Sequence, residues 1–398
     1  MNVNDRGFPQ TLYNIFCFIE PGNMLCVTSS EAYKKSKPSA PFASRYITYK
    51  FTFINLHVNK LTRKFIQFQN KINFGINQLR GFKKLRSRIK EFEPDVVVVS
   101  PNGAETVFMH NKLKKAFAGC SVFPYFMDDW MQQYPLQWPG GNVDVLVKKM
   151  LDENKAWLMI SKNLADILSE RYNVKPARLL EIHNPVKLDH EPVLPSFNKK
   201  SEYTFAYAGS LWQMHYDALL VICAAINNLR KKHDIKLVIY TEESHWNWRK
   251  KKISSDGVYY GGNIPYKNIH AKLSQADALI VTSSFSRQWF THTRGSVQTK
   301  ITDYMKAARL IISCGPVYAA NNDFLKKYNC GACIETNDVE KATAQLETII
   351  NNMPAYEQYI INGIEALKNN FSFEKVHQKL KDYLLYQPVA DTKTLVHH

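Results

Sequence analysis

The sequence has no long apolar run and no recognisable leader. Its longest apolar stretches, such as 96–99 and 279–281, are far shorter than the roughly 20 residues that a membrane-spanning helix needs. The amino terminus shows no basic segment followed by an apolar core and a small-residue cleavage site. We therefore expect a protein that does not cross a bilayer, and the seven cysteines, mostly within apolar runs, fit a reducing cytoplasm.

The composition excludes disordered, collagen-like and coiled-coil proteins. Of the 398 residues, 45% are hydrophobic, 22% charged and 13% aromatic, which is typical of globular proteins. At roughly 150 residues per domain, this length predicts two or three domains, and two is the first expectation.

Acidic residues are scarce. There are 35 against 52 Lys and Arg, and between Glu31 and Glu91 fifteen basic residues occur with no acid at all. A segment of one charge sign indicates an anionic partner such as phosphate, phospholipid or nucleic acid. Large apolar residues within the basic 32–90 segment favour a membrane interface, with a solvated basic face as the alternative. These residues are Phe42, Tyr46, Tyr49, Phe51, Phe53, Phe65 and Phe68.

The cysteine pair Cys330 and Cys333 has the spacing of a zinc or redox site. No second Cys or Cys/His pair stands at ligand distance along the chain, so the start of a buried strand is the better interpretation. No Asp-x-Asp pair stands in a suitable place either, and we expect no metal site and no metal requirement.

Periodicity in the first half predicts alternating helices and strands. Apolar residues at three- and four-residue spacing predict one amphipathic helix over 76–92, and the β-branched segment 95–100 then reads as a buried strand. Further strands are predicted at 122–126, 156–160 and 179–182, with helices at 103–118, 143–154 and 162–171. This alternation is typical of a doubly wound parallel sheet.

The alternation lapses between residues 187 and 202 and then begins again. Strands are predicted at 203–208, 236–241, 257–260, 278–282, 309–313 and 331–335, and helices at 215–231, 265–275, 297–308, 318–328, 338–352, 355–369 and 373–385. We therefore predict an α/β protein with a first domain at 1–186, a linker at 187–202 and a second domain at 203–370. The segment 371–398 would carry a helix that returns to the first domain, and the ends of the two sheets would face a cleft.

The first β-α unit lacks its strand. Polar residues lead into an apolar helix predicted at 11–18, with no strand before it. Two explanations stay open: a start codon placed too late, or a domain assembled without that strand.

Four motifs in the second half carry a resemblance to a known family. They are "YAGSL" (207–211), "YYGGNIP" (259–265), "LSQADALIVTSS" (273–284) and "VQTKITDYMKAARLIISCGP" (297–316). In order and spacing they resemble the group 1, or family-four, glycosyltransferases of the GT-B fold, and the resemblance covers about 180–370. It implies transfer of a sugar from a nucleotide-diphosphate donor with retention of anomeric configuration.

The motif positions also suit a diphosphate on physical grounds. The turn Gly209-Ser210 lies just past a strand end, where glycine lets a diphosphate approach the backbone closely. The helix predicted at 297–308, with Thr299 in its first turn, offers its first-turn N–H groups, and Lys300 near its start adds a full positive charge.

Asp303 stands one turn after Lys300, where a carboxylate can accept hydrogen bonds from a ribose diol. By resemblance, Asp303 replaces the second of the family's two glutamates, which are spaced eight apart. The first glutamate falls on Gly295, and the family links that position to the donor sugar. The resemblance therefore leaves the residues that recognise the sugar unassigned.

Two basic residues of the family pattern are also replaced. A lysine after the glycine turn matches His215, and an arginine beside the glycine matches Ser210. Arg294 or His292, in the polar loop predicted at 286–296, is a candidate for the missing positive charge. For His215, an ordinary polar residue at a helix start is an equally good interpretation.

The predicted first domain contributes an acidic pair and one glycine. Asp128 and Asp129 follow the strand 122–126, where relatives place an acidic group near the acceptor hydroxyl, so one of them is a candidate catalytic residue. Capping of the next helix is the alternative. Gly7 corresponds to the family's glycine-rich first loop, which contacts the donor phosphates.

We therefore predict a glycosyltransferase of cell-surface polysaccharide or lipid-linked glycan synthesis, at the cytoplasmic face of an anionic membrane, with a glycan or lipid-linked acceptor. Its co-substrate would be a nucleotide-sugar, with no other cofactor and no nucleic acid partner. A sugar-nucleotide 2-epimerase of the same fold is one alternative. A non-catalytic protein that binds membranes or nucleic acid through 32–90 is the other.

Overall fold

The structure, a computed structural model, describes residues 7–36, 45–52, 63–133, 142–195 and 201–386. The strands are β1 (Leu25–Ser29), β2 (Arg45–Tyr49), β3 (Val96–Val99), β4 (Ser121–Phe126), β5 (Ala156–Met159), β6 (Arg178–Glu181), β7 (Glu202–Ala208), β8 (Asp234–Tyr240), β9 (Val258–Gly262), β10 (Ala278–Thr282), β11 (Leu310–Cys314) and β12 (Ala332–Ile334). The helices of the first half are α1 (Phe8–Phe16), α2 (Ser30–Ser36), α3 (Arg63–Leu79), α4 (Lys83–Phe92), α5 (Ala104–Leu113), α6 (Trp130–Gln133), α7 (Asn142–Glu153) and α8 (Lys162–Tyr172). Those of the second half are α9 (Gln213–Leu229), α10 (Glu243–Ile253), α11 (Ile269–Leu273), α12 (Phe290–Gly295), α13 (Lys300–Lys306), α14 (Ala320–Lys327), α15 (Val339–Asn351), α16 (Glu357–Ala366) and α17 (Phe373–Leu385).

The second half forms one continuous six-stranded parallel sheet. Its strand order is β12-β11-β10-β7-β8-β9, and every residue of β10 and β11 is buried. Alternate residues of β7 enter two different apolar cores, with Phe205 and Tyr207 on one face and Ala206 and Ala208 on the other. Because the strand order reverses between β7 and β10, the crevice at their carboxyl ends is where such a sheet binds a ligand.

The first half builds its parallel strands as two separate groups. The strands β3-β4-β5-β6 form one sheet, and β1 pairs only with β2 among the described residues. Helix α1 is the first described element, and no strand precedes it from Gly7 onward. The predicted α/β fold with parallel sheets is confirmed in both halves.

The chain passes between the halves twice, and the two passages are hydrogen-bonded to each other. The backbone N–H of Val186 donates to the carbonyl of Phe371, and the N–H of Phe373 donates to the carbonyl of Val186. Helix α17 begins directly after this contact and packs on α1 and the four-stranded sheet, where Val376 and Leu380 are buried.

The predicted single helix over 76–92 is wrong. The structure has two helices, α3 and α4, because Gly81 and Phe82 interrupt the periodic pattern and Phe82 adopts a left-handed backbone (φ 34°). The predicted loop at 286–296 is also partly helical, since it contains a short 3₁₀ turn and α12.

Some sequence predictions lie outside the described residues. These are the linker segment 196–200, the tail 387–398, the polar residues before Gly7, and Phe42 and Phe53 of the basic segment. Within the described chain, no helix combines the length and the apolar character needed to cross a membrane.

Candidate active site

Helix α13 is fastened to the end of strand β7. The hydroxyl of Tyr304 accepts the backbone N–H of Ala208 (2.9 Å) and lies 3.3 Å from the carbonyl of the same residue. Burial raises the pKa of this tyrosine, which is therefore a neutral phenol at physiological pH. The two motifs that the sequence singles out, the glycine turn and the helix with Lys300, thus form one local structure at the switch point of the sheet.

The Lys300 ammonium lies directly above the glycine turn. Its Nζ is 3.7 Å from the ring centroid of Tyr207 and 3.3 Å from where a Cβ on Gly209 would stand. Gly209 has φ +144°, a conformation that side chains with a Cβ rarely adopt. The backbone conformation therefore favours glycine here, and an added Cβ would also displace the lysine ammonium by a few tenths of an ångström.

Lys300 is partly desolvated. Burial lowers the pKa of its ammonium to about 7. The nearest compensation is the face of the Tyr207 ring, which attracts a cation less strongly than a carboxylate does. An anion placed beside Nζ would therefore raise this pKa again and be held by the charge that it restores.

His215 interacts electrostatically with Lys300, and a second histidine, His292, lies beside His215. The rings of His215 and His292 have centroids 6.1 Å apart, and Gln298 Nε2 donates to His215 Nδ1 (3.2 Å). Burial, with smaller contributions from Lys300 and His292, holds the pKa of His215 well below its usual range. Burial lowers the pKa of His292 to about 4, against a weaker opposing effect of Asp129. Both rings are neutral at pH 7, in a site with three groups able to become cations.

Asp129 is fully engaged in an ion pair. Its two carboxylate oxygens accept from the guanidinium of Arg171 at 2.8 and 2.6 Å, and Thr291 on α12 donates to one of them. The Asp129 side chain is 1% exposed. It joins α8 of the first half to α12 of the second. Its neighbour Asp128 is more exposed.

Asp303 sits in a polar network between the halves. Its Oδ1 accepts from the hydroxyl of Tyr266 (3.0 Å) and from His270 Nε2 (2.9 Å), whereas its Oδ2 lies 3.5 Å from the Asn184 amide. Asn184 in turn accepts from the amide of Asn14 on α1 (2.9 Å). Asp303 therefore faces a different set of partners from Lys300, although both residues begin the same helix.

Of the other predicted donor-site residues, Ser210 and Thr299 adjoin Gly209 and Lys300, whereas Gly7 and Arg294 belong to α1 and α12. Gly7 caps α1 with φ +57° and has open space around it. The carbonyl of Ser210 accepts from Tyr207 (2.9 Å), and the carbonyl of Thr299 accepts from Thr302 (3.1 Å). The guanidinium of Arg294 lies 3.9 Å from Glu170 on α8.

Position 295 lies against the first half. A Cβ on Gly295 would stand 3.1 Å from Leu164 and 3.2 Å from Ile167, and its carbonyl accepts from Ser161 (2.5 Å). A longer side chain at this position would meet α8 rather than the crevice. The glycine that interrupts the family pattern is thus a close contact between the two halves.

The cysteine pair is unlike a metal or redox site. Burial raises the pKa of Cys330 to about 12 and that of Cys333 to about 11, so both thiols are protonated. Within the described ranges, no group of three or more His, Cys, Asp or Glu side chains is arranged to hold a metal ion.

Sequence reasoning missed several residues of the site. Gln298, Tyr207 and Tyr304 lie inside the motifs, but only the fold reveals that their side chains contact His215, Lys300 and the strand end. The Arg171 partner of Asp129 is 42 residues away along the chain, and no sequence signal connects them.

Residues 202–352 match the model of the glycosyl transferases group 1. This range contains the six-stranded sheet and the site around Lys300. No curated protein sequence matches the chain.

Several solved structures have the same fold. Anabaena Alr3699/HepE, in complex with UDP-glucose, is similar with a TM-score of 0.64 and 11% identity over 96% of this chain and 97% of that chain. WaaG, a glycosyltransferase involved in lipopolysaccharide biosynthesis, gives 0.59 and 10% over 97% and 98%. S. aureus TarM gives 0.54 and 13% over 73% of this chain, which spans 55% of the length of TarM. These likenesses show the GT-B fold.

Proposed function

We propose that this chain, whose carboxyl-terminal domain is that of a group 1 glycosyltransferase, moves a sugar from a nucleoside-diphosphate donor to an acceptor hydroxyl. The observation that carries the proposal is the group formed by Lys300, His215 and His292 beside the Gly209 turn. All three side chains have a lowered pKa, which means that their cationic forms are destabilised. A nearby anion would stabilise those forms. A diphosphate is such an anion, and its two phosphates would reach more than one of these groups.

In this proposal Lys300 holds the diphosphate and stabilises the charge that develops on it as the bond to the sugar breaks. Gly209 and Ser210 allow the phosphates close to the backbone, and Thr299 lies at the same edge. Gly7 would complete the phosphate site from the first half. We expect no metal requirement, because the positive charge comes from side chains.

Asp303 would bind the ribose through its free acceptor capacity. Tyr266 and His270 both occupy Oδ1, whereas Oδ2 has only a long contact with Asn184. A ribose diol would donate to Oδ2, and the two occupants of Oδ1 would keep the carboxylate oriented.

Recognition of the sugar would depend on α12 in an altered way. Gly295 is packed against Leu164, so the contact that relatives make from this position is absent. His292 lies one turn earlier on α12, beside His215, and we propose that it contacts the donor sugar. Arg294 is the weaker candidate because it is directed toward Glu170.

The acceptor would enter from the first half. Asp129 is committed to Arg171 and Thr291, so it would hold the two halves together rather than take a proton. Asp128, partly exposed beside it, would orient or deprotonate the acceptor hydroxyl. By resemblance the transfer would retain the anomeric configuration.

Two observations support our proposal for the acceptor class. WaaG acts in lipopolysaccharide biosynthesis, and the basic segment 32–90 suits an anionic membrane. We therefore propose an acceptor that is a lipid-linked or polysaccharide precursor, met at the cytoplasmic face of the membrane.

A calorimetric screen of free nucleoside diphosphates and sugar nucleotides tests the donor site, beginning with UDP and UDP-glucose. Lys300→Ala should weaken binding about 10- to 100-fold, which is the value of a charge-assisted hydrogen bond. Lys272→Ala, an exposed lysine of the same domain, is the matched control and should bind normally. Equal affinity of the wild type and Lys300→Ala would overturn the proposal.

The turnover of the bound donor separates transfer from epimerisation. A transferase consumes the donor faster when an acceptor is present and releases the nucleoside diphosphate. Interconversion of the free sugar nucleotide without any acceptor would instead identify a 2-epimerase.

A further inference from the structure

Helix α3 is apolar on two opposite faces. One face is buried in the first domain and includes Ile66 and Phe74. On the other side, five large apolar residues are exposed, and we call them the α3 stripe: Phe65 (63% exposed), Phe68 (63%), Ile72 (48%), Ile76 (43%) and Leu79 (89%). At 3.6 residues per turn these five fall within an arc of roughly 80°. They therefore form one continuous row along the helix.

Such a row is unusual on a protein surface. Scattered exposed apolar residues are normal, but a contiguous patch marks a surface that something covers. Of the sixteen large apolar side chains exposed in the described residues, five belong to this one helix of 17 residues. The others are distributed over the rest of the described chain. A helix with apolar residues on both faces is expected to be covered on both.

The charge around the α3 stripe identifies the covering partner. Lys64 and Lys71 are exposed on α3 itself, and α4 exposes Lys83, Lys84 and Arg88 nearby along the chain. No acidic residue stands between Glu31 and Glu91 to neutralise them. Two copies of this surface placed face to face would bring like charges together, whereas a surface of anionic headgroups would attract them.

The apolar residues distinguish a membrane from nucleic acid. Lysines alone would serve either polyanion, because phosphate contacts need only positive charge. Ile72, Ile76 and Leu79 offer neither a charge to a phosphate nor an aromatic ring on which a base could stack. In a bilayer they would leave water for the acyl-chain boundary, with lysines at headgroup level.

We propose that the α3 stripe is the membrane-docking surface of this protein and that it lies flat in the interface of an anionic bilayer. The helix is about 25 Å long at 1.5 Å per residue, long enough to lie along the bilayer surface. The inference deepens the membrane-bound acceptor of the proposed function by naming the surface that meets the membrane. The docking itself does not depend on sugar transfer.

Sedimentation of the full chain with vesicles tests the proposal. The probes are vesicles of phosphatidylcholine alone and of phosphatidylcholine mixed with phosphatidylglycerol. We expect binding to the anionic vesicles, and at least about a tenfold loss of partitioning for the combined variant Phe65→Ser, Phe68→Ser and Leu79→Ser. The control variant Val145→Ser removes an equally exposed apolar residue from α7 and should bind like the wild type.

A second variant separates charge from insertion. This variant combines four substitutions, Lys64→Gln, Lys71→Gln, Lys83→Gln and Lys84→Gln. It should weaken binding to anionic vesicles. Binding of UDP should be unchanged in both variants, so failure here is distinguishable from failure of the proposed function. Thermal unfolding should also be unchanged, because the substituted side chains are exposed.

Three results would overturn the proposal. One is vesicle binding that the serine variant leaves intact. Another is a wild-type protein that does not bind anionic vesicles and is a dimer by light scattering, while the serine variant is a monomer. The last is binding of an oligonucleotide that the glutamine variant abolishes and the serine variant does not, with no binding to vesicles.

Discussion

The two halves of this molecule use the same architecture with different degrees of burial. In the second half, all ten residues of β10 and β11 are buried within a six-stranded sheet. In the first half, β3 consists of four valines, yet three of them are partly exposed, and β1 is partly exposed throughout. The strands β1 and β3 are not paired with each other in the described chain. The second half is thus more completely packed, and the first half leaves more of its apolar surface exposed.

The largest loss of stability is expected at the contact between the halves. Asp129→Ala should lower the free energy of unfolding by about 3 kcal/mol, because it leaves the partly buried Arg171 without its partner. Urea unfolding followed by tryptophan fluorescence measures this. Asp166→Ala removes an exposed pair with Lys162 and should lower the free energy of unfolding far less than Asp129→Ala does. Equal losses of unfolding free energy in the two variants would show that Asp129 does not stabilise the contact between α8 and α12.

Replacing one valine in each half compares how tightly the two sheets are packed. Val281→Ala in β10 should destabilise the protein by about 2 kcal/mol, since this side chain is fully buried. Val98→Ala in β3 should cost less than about 1 kcal/mol, because its side chain is partly exposed. The same unfolding experiment tests both. A larger loss at Val98 would mean that the edge of β3 is covered in solution.

The donor site should respond to pH in a direction set by Lys300. A bound diphosphate raises the pKa of this lysine from about 7, so affinity is greatest below pH 7 and falls as the free protein loses the proton. We expect about a tenfold loss of UDP affinity between about pH 7 and 8.5. Calorimetry in buffers of different ionisation enthalpy would also register proton uptake on binding. An affinity independent of pH over this interval would contradict the assignment of Lys300.

The smallest expected effect concerns the glycine turn. Gly209→Ala forces a strained φ and moves the Lys300 ammonium, so UDP affinity should fall about three- to tenfold. Gly119→Ala carries a similar backbone strain (φ +87°) with open space around it in the first half. The alanine at 119 should leave UDP affinity unchanged, and a loss in both variants would point to a general effect on folding.

The sequence predicted the second half far better than the first. Strand β10 and helix α17 have the predicted bounds, because long buried apolar runs and a clear helical period carry strong local signals. Strands β1 and β2 were not predicted, since each is only five residues long and both are partly exposed. The predicted helix 76–92 failed at Phe82, where apolar spacing continued through a break in the backbone.

The candidate site was predictable only in part. The motifs singled out Gly209 and Lys300, which the fold brings into contact. Their role in donor binding stays a prediction, as do those of Asp303 and Asp128. The commitment of Asp129 to Arg171 and the packing of Gly295 on α8 depend on how the two halves meet. No local pattern in the chain encodes that meeting.

The most direct test of the central claim is a crystal structure of the protein in complex with UDP. The account predicts that a diphosphate oxygen lies within about 3 Å of Lys300 Nζ, above the Gly209 turn, with the ribose directed toward Asp303 Oδ2. A nucleotide bound elsewhere, with Lys300 still resting on the Tyr207 ring, would contradict it.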